Sequence, residues 1–139
     1  FGLENSHVFG ATVNKVLSKD SDIVSIWGDG SEERDLLYIS DLVDSVEKII
    51  STNDKRPFCL LNIGSGIAIS VKDLVDKVLE VSRVDSKKVV FEQSKPTVKT
   101  SVSLDCSKAK LVLGWQPKVS LEAGIKKTIL WYKKNAYRS

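Results

Sequence analysis

The chain has 139 residues, 42% of them apolar and 28% charged, with a formal net charge of +3. That is enough for one domain with a real core, spanning residues 1–139. The charge is too small to imply a nucleic-acid partner, although it suits a small anion, and no apolar run approaches membrane-spanning length.

The single histidine, His7, rules out a multi-histidine metal site, and Cys59 and Cys106 match no metal or redox spacing. Free thiols in a reducing, cytoplasmic compartment are the expectation. No methionine occurs and the chain opens Phe1-Gly2-Leu3, so a processed chain or a fragment of something longer is expected.

Phe9, Val13, Val16 and Leu17 form a helical stripe, which predicts a helix near 6–18 capped by Asn5 or Ser6. Asp22 to Trp27 reads as a strand, followed by the turn Gly28-Asp29-Gly30, and Leu36 to Ile39 reads as a second short strand. Ser40 or Asp41 is placed to cap a helix with its stripe at Leu42, Val46, Ile49 and Ile50. Residues 51–57 read as a polar loop. Phe58 to Ile63 is apolar except for Asn62, as in a strand buried on both faces.

Gly64-Ser65-Gly66 turns the chain into Ile67–Ile69. Ser70 with Asp73 makes a capping box for a helix whose stripe is Val71, Leu74, Val75, Val78 and Leu79. Val89 to Phe91 is a short strand, and residues 93–103 read as an extended segment able to touch ligand. Asp105 or Ser107 begins a short helix ending at Gly114. Ser120 caps the last helix, with Leu121, Ile125, Ile129 and Tyr132 inward. Strands separated by helices define an α/β chain.

Chemistry-bearing residues cluster around the first glycine turn. The turn offers backbone N–H groups, Arg34 a planar five-donor fork and Trp27 a flat ring face, a combination suited to a nucleoside diphosphate. Each has an ordinary alternative: a plain turn, an arginine paired with Asp35 or Glu32, and a core tryptophan. His7, near a helix start, can exchange a proton near neutrality or be a surface residue. Lys15 lies eight residues further along that helix, roughly 12 Å away by helical rise, and Lys88 flanks the Val89–Phe91 strand. Either lysine could reach a phosphate or be solvated, Lys88 as a solvated neighbour of Lys87. No complete G-x-G-x-x-G, Walker lysine, G-x-S-x-G or zinc spacing is present.

Phe1-x-Leu3-Glu4-Asn5-Ser6-His7-Val8, Trp27-Gly-Asp-Gly-Ser31, Arg34-Asp-Leu-Leu-Tyr-Ile-Ser-Asp41, Asn62-Ile-Gly-Ser-Gly66, Ser94-Lys95-Pro96, Leu104-Asp105-x-Ser107-Lys108-Ala109 and Leu113-Gly114-Trp115-x-Pro117 appear in that order. Together they resemble the C-terminal half of the NAD(P)-dependent nucleotide-sugar epimerases and dehydratases, which are extended short-chain dehydrogenase/reductases. The Glu-Asn-Ser-His-Val segment is most similar to the GDP-L-fucose synthases.

The resemblance implies an α/β substrate-binding portion without the N-terminal Rossmann half. It implies a nucleotide-diphosphate sugar as ligand, NADP (or NAD) bound mainly by that missing half, and a homodimer as the full-length enzyme. It gives His7 the role of acid in epimerisation, near the nicotinamide. Lys15, Trp27, Arg34 and Lys88 would bind the nucleotide sugar.

Two departures leave the sugar and base open. Thr97-Val98 and Ser101-Val102 stand where the fucose synthase pattern has Asp-Gly and a basic pair, with Lys99 the only charge nearby, and position 15 is Lys where Arg is commoner. The family's Tyr-x-x-x-Lys is also absent: Tyr132 is followed by Lys133-Lys134-Asn135-Ala136. The 139 residues alone are therefore expected to be inactive. The competing readings are a non-catalytic nucleotide-sugar-binding module, a different nucleotide-sugar epimerase or dehydratase, and a small nucleic-acid-binding protein.

Overall fold

In a computed structural model of the chain, residues 7–53, 57–95 and 100–135 are described. Nine elements follow one another: α1 (Val8–Leu17), β1 (Ile23–Trp27), β2 (Glu33–Asp35), α2 (Ile39–Ser51), β3 (Ala68–Ser70), α3 (Val71–Ser82), β4 (Lys88–Glu92), α4 (Ser107–Leu113) and α5 (Leu121–Asn135). β1 and β4 pair in parallel, from Ile23 opposite Lys88 to Trp27 opposite Glu92. β2 and β3 pair antiparallel, with Arg34 opposite Ile69.

The core forms where three helical stripes meet one face of the parallel pair. Val13 and Val16 of α1, Val24 and Ile26 of β1, Val71, Leu74, Val75 and Val78 of α3, and Ile125 and Ile129 of α5 bury one another. The period-2 alternation of β1 sends Val24 and Ile26 inward and leaves Ile23, Ser25 and Trp27 on the opposite face. Helix α3 is the element whose local sequence and structure agree most fully. Ser70 Oγ accepts the Asp73 amide at 3.0 Å and donates to the Asp73 carboxylate at 2.7 Å, closing the expected box.

Several expectations are corrected. The strand expected at Leu36–Ile39 lies at Glu33–Asp35 instead, and Ile39 already belongs to α2. Its charged residues are compatible with a strand because each finds a partner on a neighbouring segment. Helix α1 begins at Val8 with His7 at the N-cap position and no side-chain cap, while Asn5 and Ser6 lie outside the described residues.

Tyr38, not Ser40 or Asp41, is the N-cap of α2. The expected inward stripe of that helix faces out: Leu42, Val46, Ile49 and Ile50 are exposed, Ile50 to 78%. Asp41 and Ser45 are the buried residues of α2. The cause is a buried polar joint. Both the 118 and 119 backbone amides donate to Asp41 Oδ2, at 3.0 and 2.9 Å, and the Trp115 indole donates to the Asp41 carbonyl at 3.0 Å. These bonds satisfy the carboxylate and turn the polar side of the helix inward.

Phe58–Ile63 is not a strand, and no β partner lies beside it among the described residues. Phe58 and Leu60 are exposed, whereas Cys59, Leu61 and Ile63 are half-buried. Together with the α2 stripe, this leaves a broad apolar surface uncovered. No described helix is long and apolar enough to cross a membrane.

Candidate functional site

The glycine turn joins elements rather than offering an open anion cradle. Gly28 and Gly30 both have positive φ, at 82° and 78°. A Cβ on Gly30 would lie 2.5 Å from Phe91 Cε1, so only glycine fits against β4 there. The Gly28 amide donates to the Glu92 carbonyl (3.0 Å), and the Ser31 amide to Asp29 Oδ1 (2.9 Å). The Gly30 and Glu32 carbonyls accept the Lys72 and Val71 amides from the first turn of α3. Of the two readings of this turn, these bonds favour the plain turn for the Gly28 and Ser31 amides, both of which are held within the protein.

Arg34 leaves β2 beside that turn. Its Nη1 donates to Thr100 Oγ1 (2.6 Å), the Glu33 carbonyl (2.8 Å) and the Thr100 carbonyl (3.3 Å), and its Nη2 pairs with the Glu32 carboxylate at 3.2 Å. The Glu33 amide donates to the Thr100 carbonyl, and Ser101 Oγ donates to the Glu33 carboxylate. The expected ligand-touching segment 93–103 thus reaches Arg34 through Thr100. Residues 96–99, with Pro96, Thr97, Val98 and Lys99, lie outside the described residues.

Asp35, next in sequence, binds three segments together. Its Oδ1 accepts the Ser65 amide and hydroxyl, both at 2.6 Å, and its Oδ2 accepts the Gly66 amide at 2.9 Å and the Leu104 amide at 3.0 Å. A Cβ on Gly64 would lie 2.8 Å from Asp35 Oδ2 and 2.9 Å from Leu104 Cδ1, so the turn has to be this bare for the carboxylate to fit. Burial opposes the charge, but the Ser65 hydroxyl and the Leu104, Ser65 and Gly66 amides outweigh it and hold the Asp35 carboxyl below its ordinary range. Nearby, burial pushes the Cys106 thiol up, against a bond to the Gly64 carbonyl and with Asp35 and Asp105 adding to the rise.

The remaining candidates lie on the parallel pair, Trp27 and Lys88, or on and before α1, Lys15 and His7. Trp27 is 57% exposed at the end of β1, with Lys95 Nζ 5.8 Å from its ring centroid. Lys15 Nζ donates to the Ser25 carbonyl at 2.6 Å, two residues before Trp27. Ser25 Oγ donates to the Glu92 carboxylate. Lys88 is exposed at the start of β4, and the register puts it on the same face as Trp27 but at the opposite end, about 13 Å along the strands.

Lys87, the neighbour of Lys88, is anchored, donating to the carbonyls of Lys15, Ser18 and Ser21 at 3.0, 2.5 and 2.7 Å. His7 is exposed at the head of α1, eight residues from Lys15. The structure therefore places Lys95 at the Trp27 end of β1, with Lys15 bonded at the middle of the strand. No hydrogen bond, ion pair or ring contact joins His7, Arg34 or Lys88 to Lys15, Trp27 or Lys95 among the described residues. Of the partners the sequence offered Arg34, Glu32 is the carboxylate it holds; Thr100 as its second anchor and Asp35 as the clasp were missed, with only the Arg34-Asp35 pair to mark the place.

Two apolar clefts of about 320 and 260 Å³ lie elsewhere, one between Ile67 and Leu121, the other between Ile49 and Val112, and neither is lined by any of the five candidates. No cluster of three metal-ligating side chains occurs among the described residues.

A family profile described as GDP-mannose 4,6 dehydratase matches residues 7–128, and the chain belongs to this family of nucleotide-sugar epimerases and dehydratases within the extended short-chain dehydrogenase/reductases. It is 34% identical to the putative GDP-L-fucose synthase 2 of Arabidopsis thaliana over 138 residues, covering 97% of the chain and 41% of that protein.

Among solved structures it resembles the UDP-glucose 4-epimerase of Thermotoga maritima with UDP-glucose, at 31% identity and TM-score 0.79, covering 94% of the chain and 40% of that protein. It also resembles the GDP-mannoheptose C4 reductase of Campylobacter jejuni with NADP bound, at 28% identity and TM-score 0.78, covering 96% and 46%. The chain spans about two-fifths of the length of the curated relative and matches the C-terminal part of these much longer proteins.

Proposed function

We propose that the chain is the nucleotide-sugar-binding portion of an NAD(P)-dependent epimerase/reductase of the GDP-L-fucose-synthase kind, which epimerises and reduces a GDP-4-keto-6-deoxymannose. The observation that carries this reading is the partly exposed Arg34 guanidinium, which follows the exposed Trp27 ring in sequence across the glycine turn. Arg34 would hold the diphosphate with two parallel bonds, Trp27 would stack on the base, and Lys15 and Lys88 would add positive charge. His7 would act as the acid in epimerisation at the sugar end and lie against the nicotinamide.

The Gly28 and Ser31 amides are taken up by the Glu92 carbonyl and the Asp29 carboxylate, so these two are not free to cradle a dinucleotide. The cofactor would therefore be bound mainly by the rest of a longer, homodimeric, cytoplasmic enzyme. The uncovered α2 stripe and the Phe58–Ile63 segment support this reading, since the rest of such an enzyme would cover them.

The test is calorimetric titration of GDP and UDP into the 139-residue chain and its Arg34→Lys variant. Binding that weakens about tenfold with lysine is expected, because lysine cannot reproduce the fork. Equal binding by the two proteins overturns the diphosphate role, and a preference for UDP moves the reading to the 4-epimerases. The chain alone has no turnover in this reading, and NADPH oxidation by the pure chain with a 4-keto nucleotide sugar refutes the division of labour.

A further inference from the structure

The contacts of Arg34 raise a question that its proposed role does not answer: the guanidinium already holds a carboxylate. Nη2 lies 3.2 Å from Glu32 Oε2, and the Glu32 side chain is only 17% exposed against 33% for Arg34. Alternation along the chain places residues 32 and 34 on the same side, and the Glu32 carbonyl accepts the Val71 amide at 2.8 Å, which pins the backbone from which the carboxylate reaches. Glu33 does not share the task, since its carboxylate takes the Ser101 hydroxyl. The contacts to Thr100 fall on Nη1, so the pairing with Glu32 occupies the other arm of the fork.

A carboxylate and a phosphate match a guanidinium fork by the same geometry, and both carry negative charge. A diphosphate approaching Arg34 meets Glu32 both as a competitor for Nη2 and as a like charge in a partly shielded place.

We propose that the Glu32 carboxylate is an internal occupant of the Arg34 fork which a ligand diphosphate has to displace, so that Glu32 sets the affinity of this site for nucleotide diphosphates. The proposal rests on the diphosphate role of Arg34 given above. It makes Glu32 a residue whose loss strengthens binding, the opposite of what loss of a ligand-holding or merely structural residue does.

The experiment titrates GDP, UDP and inorganic pyrophosphate into the 139-residue chain and into its Glu32→Gln, Glu32→Ala, Glu47→Gln, Arg34→Lys and Glu32→Gln/Arg34→Lys variants, with thermal melts of each. Both Glu32 variants are expected to bind all three probes roughly three- to tenfold more tightly than wild type, the range spanned by loss of one partly exposed pair and one like-charge repulsion. Glu47→Gln makes the same charge change on the exposed side of α2 and is expected to leave affinity within about twofold. The double variant is expected to lose the gain. Unchanged or weaker binding by folded Glu32 variants, with Arg34→Lys still weakening it, overturns this proposal and leaves the diphosphate site standing. An equal gain from Glu47→Gln reduces the effect to net charge and also overturns it. Absence of any binding, or indifference to Arg34→Lys, removes the site and this proposal together.

Discussion

Replacing Asp35 with alanine removes four hydrogen bonds that converge on it from two other segments of chain. The carboxylate takes the Ser65 amide and hydroxyl and the Gly66 and Leu104 amides, all at 2.6–3.0 Å. A bond to a charged acceptor contributes about 1.5–3 kcal/mol when its loss strands the donor. Here the sum is discounted, because Gly66 is exposed and water can replace part of what is lost. A destabilisation of roughly 2–4 kcal/mol is expected, a large share of the ~5–15 kcal/mol that holds a domain of this size.

Asp35→Asn is expected to cost less, about 1–2 kcal/mol, since its oxygen still accepts from one pair of donors while its NH2 opposes the other. The pH dependence follows from the sign of the shift. The folded carboxyl sits below its unfolded value, so the stabilisation is complete above about pH 4 and is lost as pH falls through the folded value. Urea unfolding from pH 7 down to pH 2.5 reads both effects. A loss under 0.5 kcal/mol for alanine at pH 7, or an acid limb in Asp35→Asn as steep as in wild type, refutes the clasp.

Replacing Val46 with Glu and Ile50 with Lys puts a favourably ordered pair on the uncovered face of α2. It is expected to change unfolding free energy by no more than about 0.5 kcal/mol while reducing self-association in sedimentation velocity and binding of an apolar dye; unchanged association would show that this face is not the sticky one. In a longer enzyme, His7→Gln is expected to slow solvent-deuterium exchange into the carbons beside the ketone by about 10²–10⁴, as for loss of a general acid, with ketone reduction less affected. Exchange at the wild-type rate would remove His7 from the chemistry.

What was legible in the chain was local. Ser70 and Asp73 are three residues apart, so their box could be read directly, and so could the stripes of α1, α3 and α5, whose partners are one another. What was not legible depends on distant residues. The stripe of α2 is a good helical signal, but the side that turns inward is chosen by Asp41, whose partners stand 77 and 78 residues downstream. Lys88 and Lys87 look alike in sequence, yet one points to solvent and the other into a nest of carbonyls nearly seventy residues upstream. Arg34 was visible as a residue needing a partner. Which partner it takes is decided by Glu32 beside it and by Thr100, brought alongside β2 from 66 positions away.

The ammonium of Lys87 has a consequence for how this chain assembles. Helix α1 ends without a glycine, and its closing carbonyls at Lys15 and Ser18, with Ser21 in the link to β1, are satisfied by a group 66 to 72 positions later. The α1–β1 unit therefore cannot finish on its own, as a locally capped helix could. Its exit is completed only when β4 docks beside β1, the same event that forms the parallel ladder. Helix termination, strand pairing and closure of the core become one cooperative step of long loop closure, which belongs with the slower, non-local folders rather than with helical bundles that assemble from neighbours.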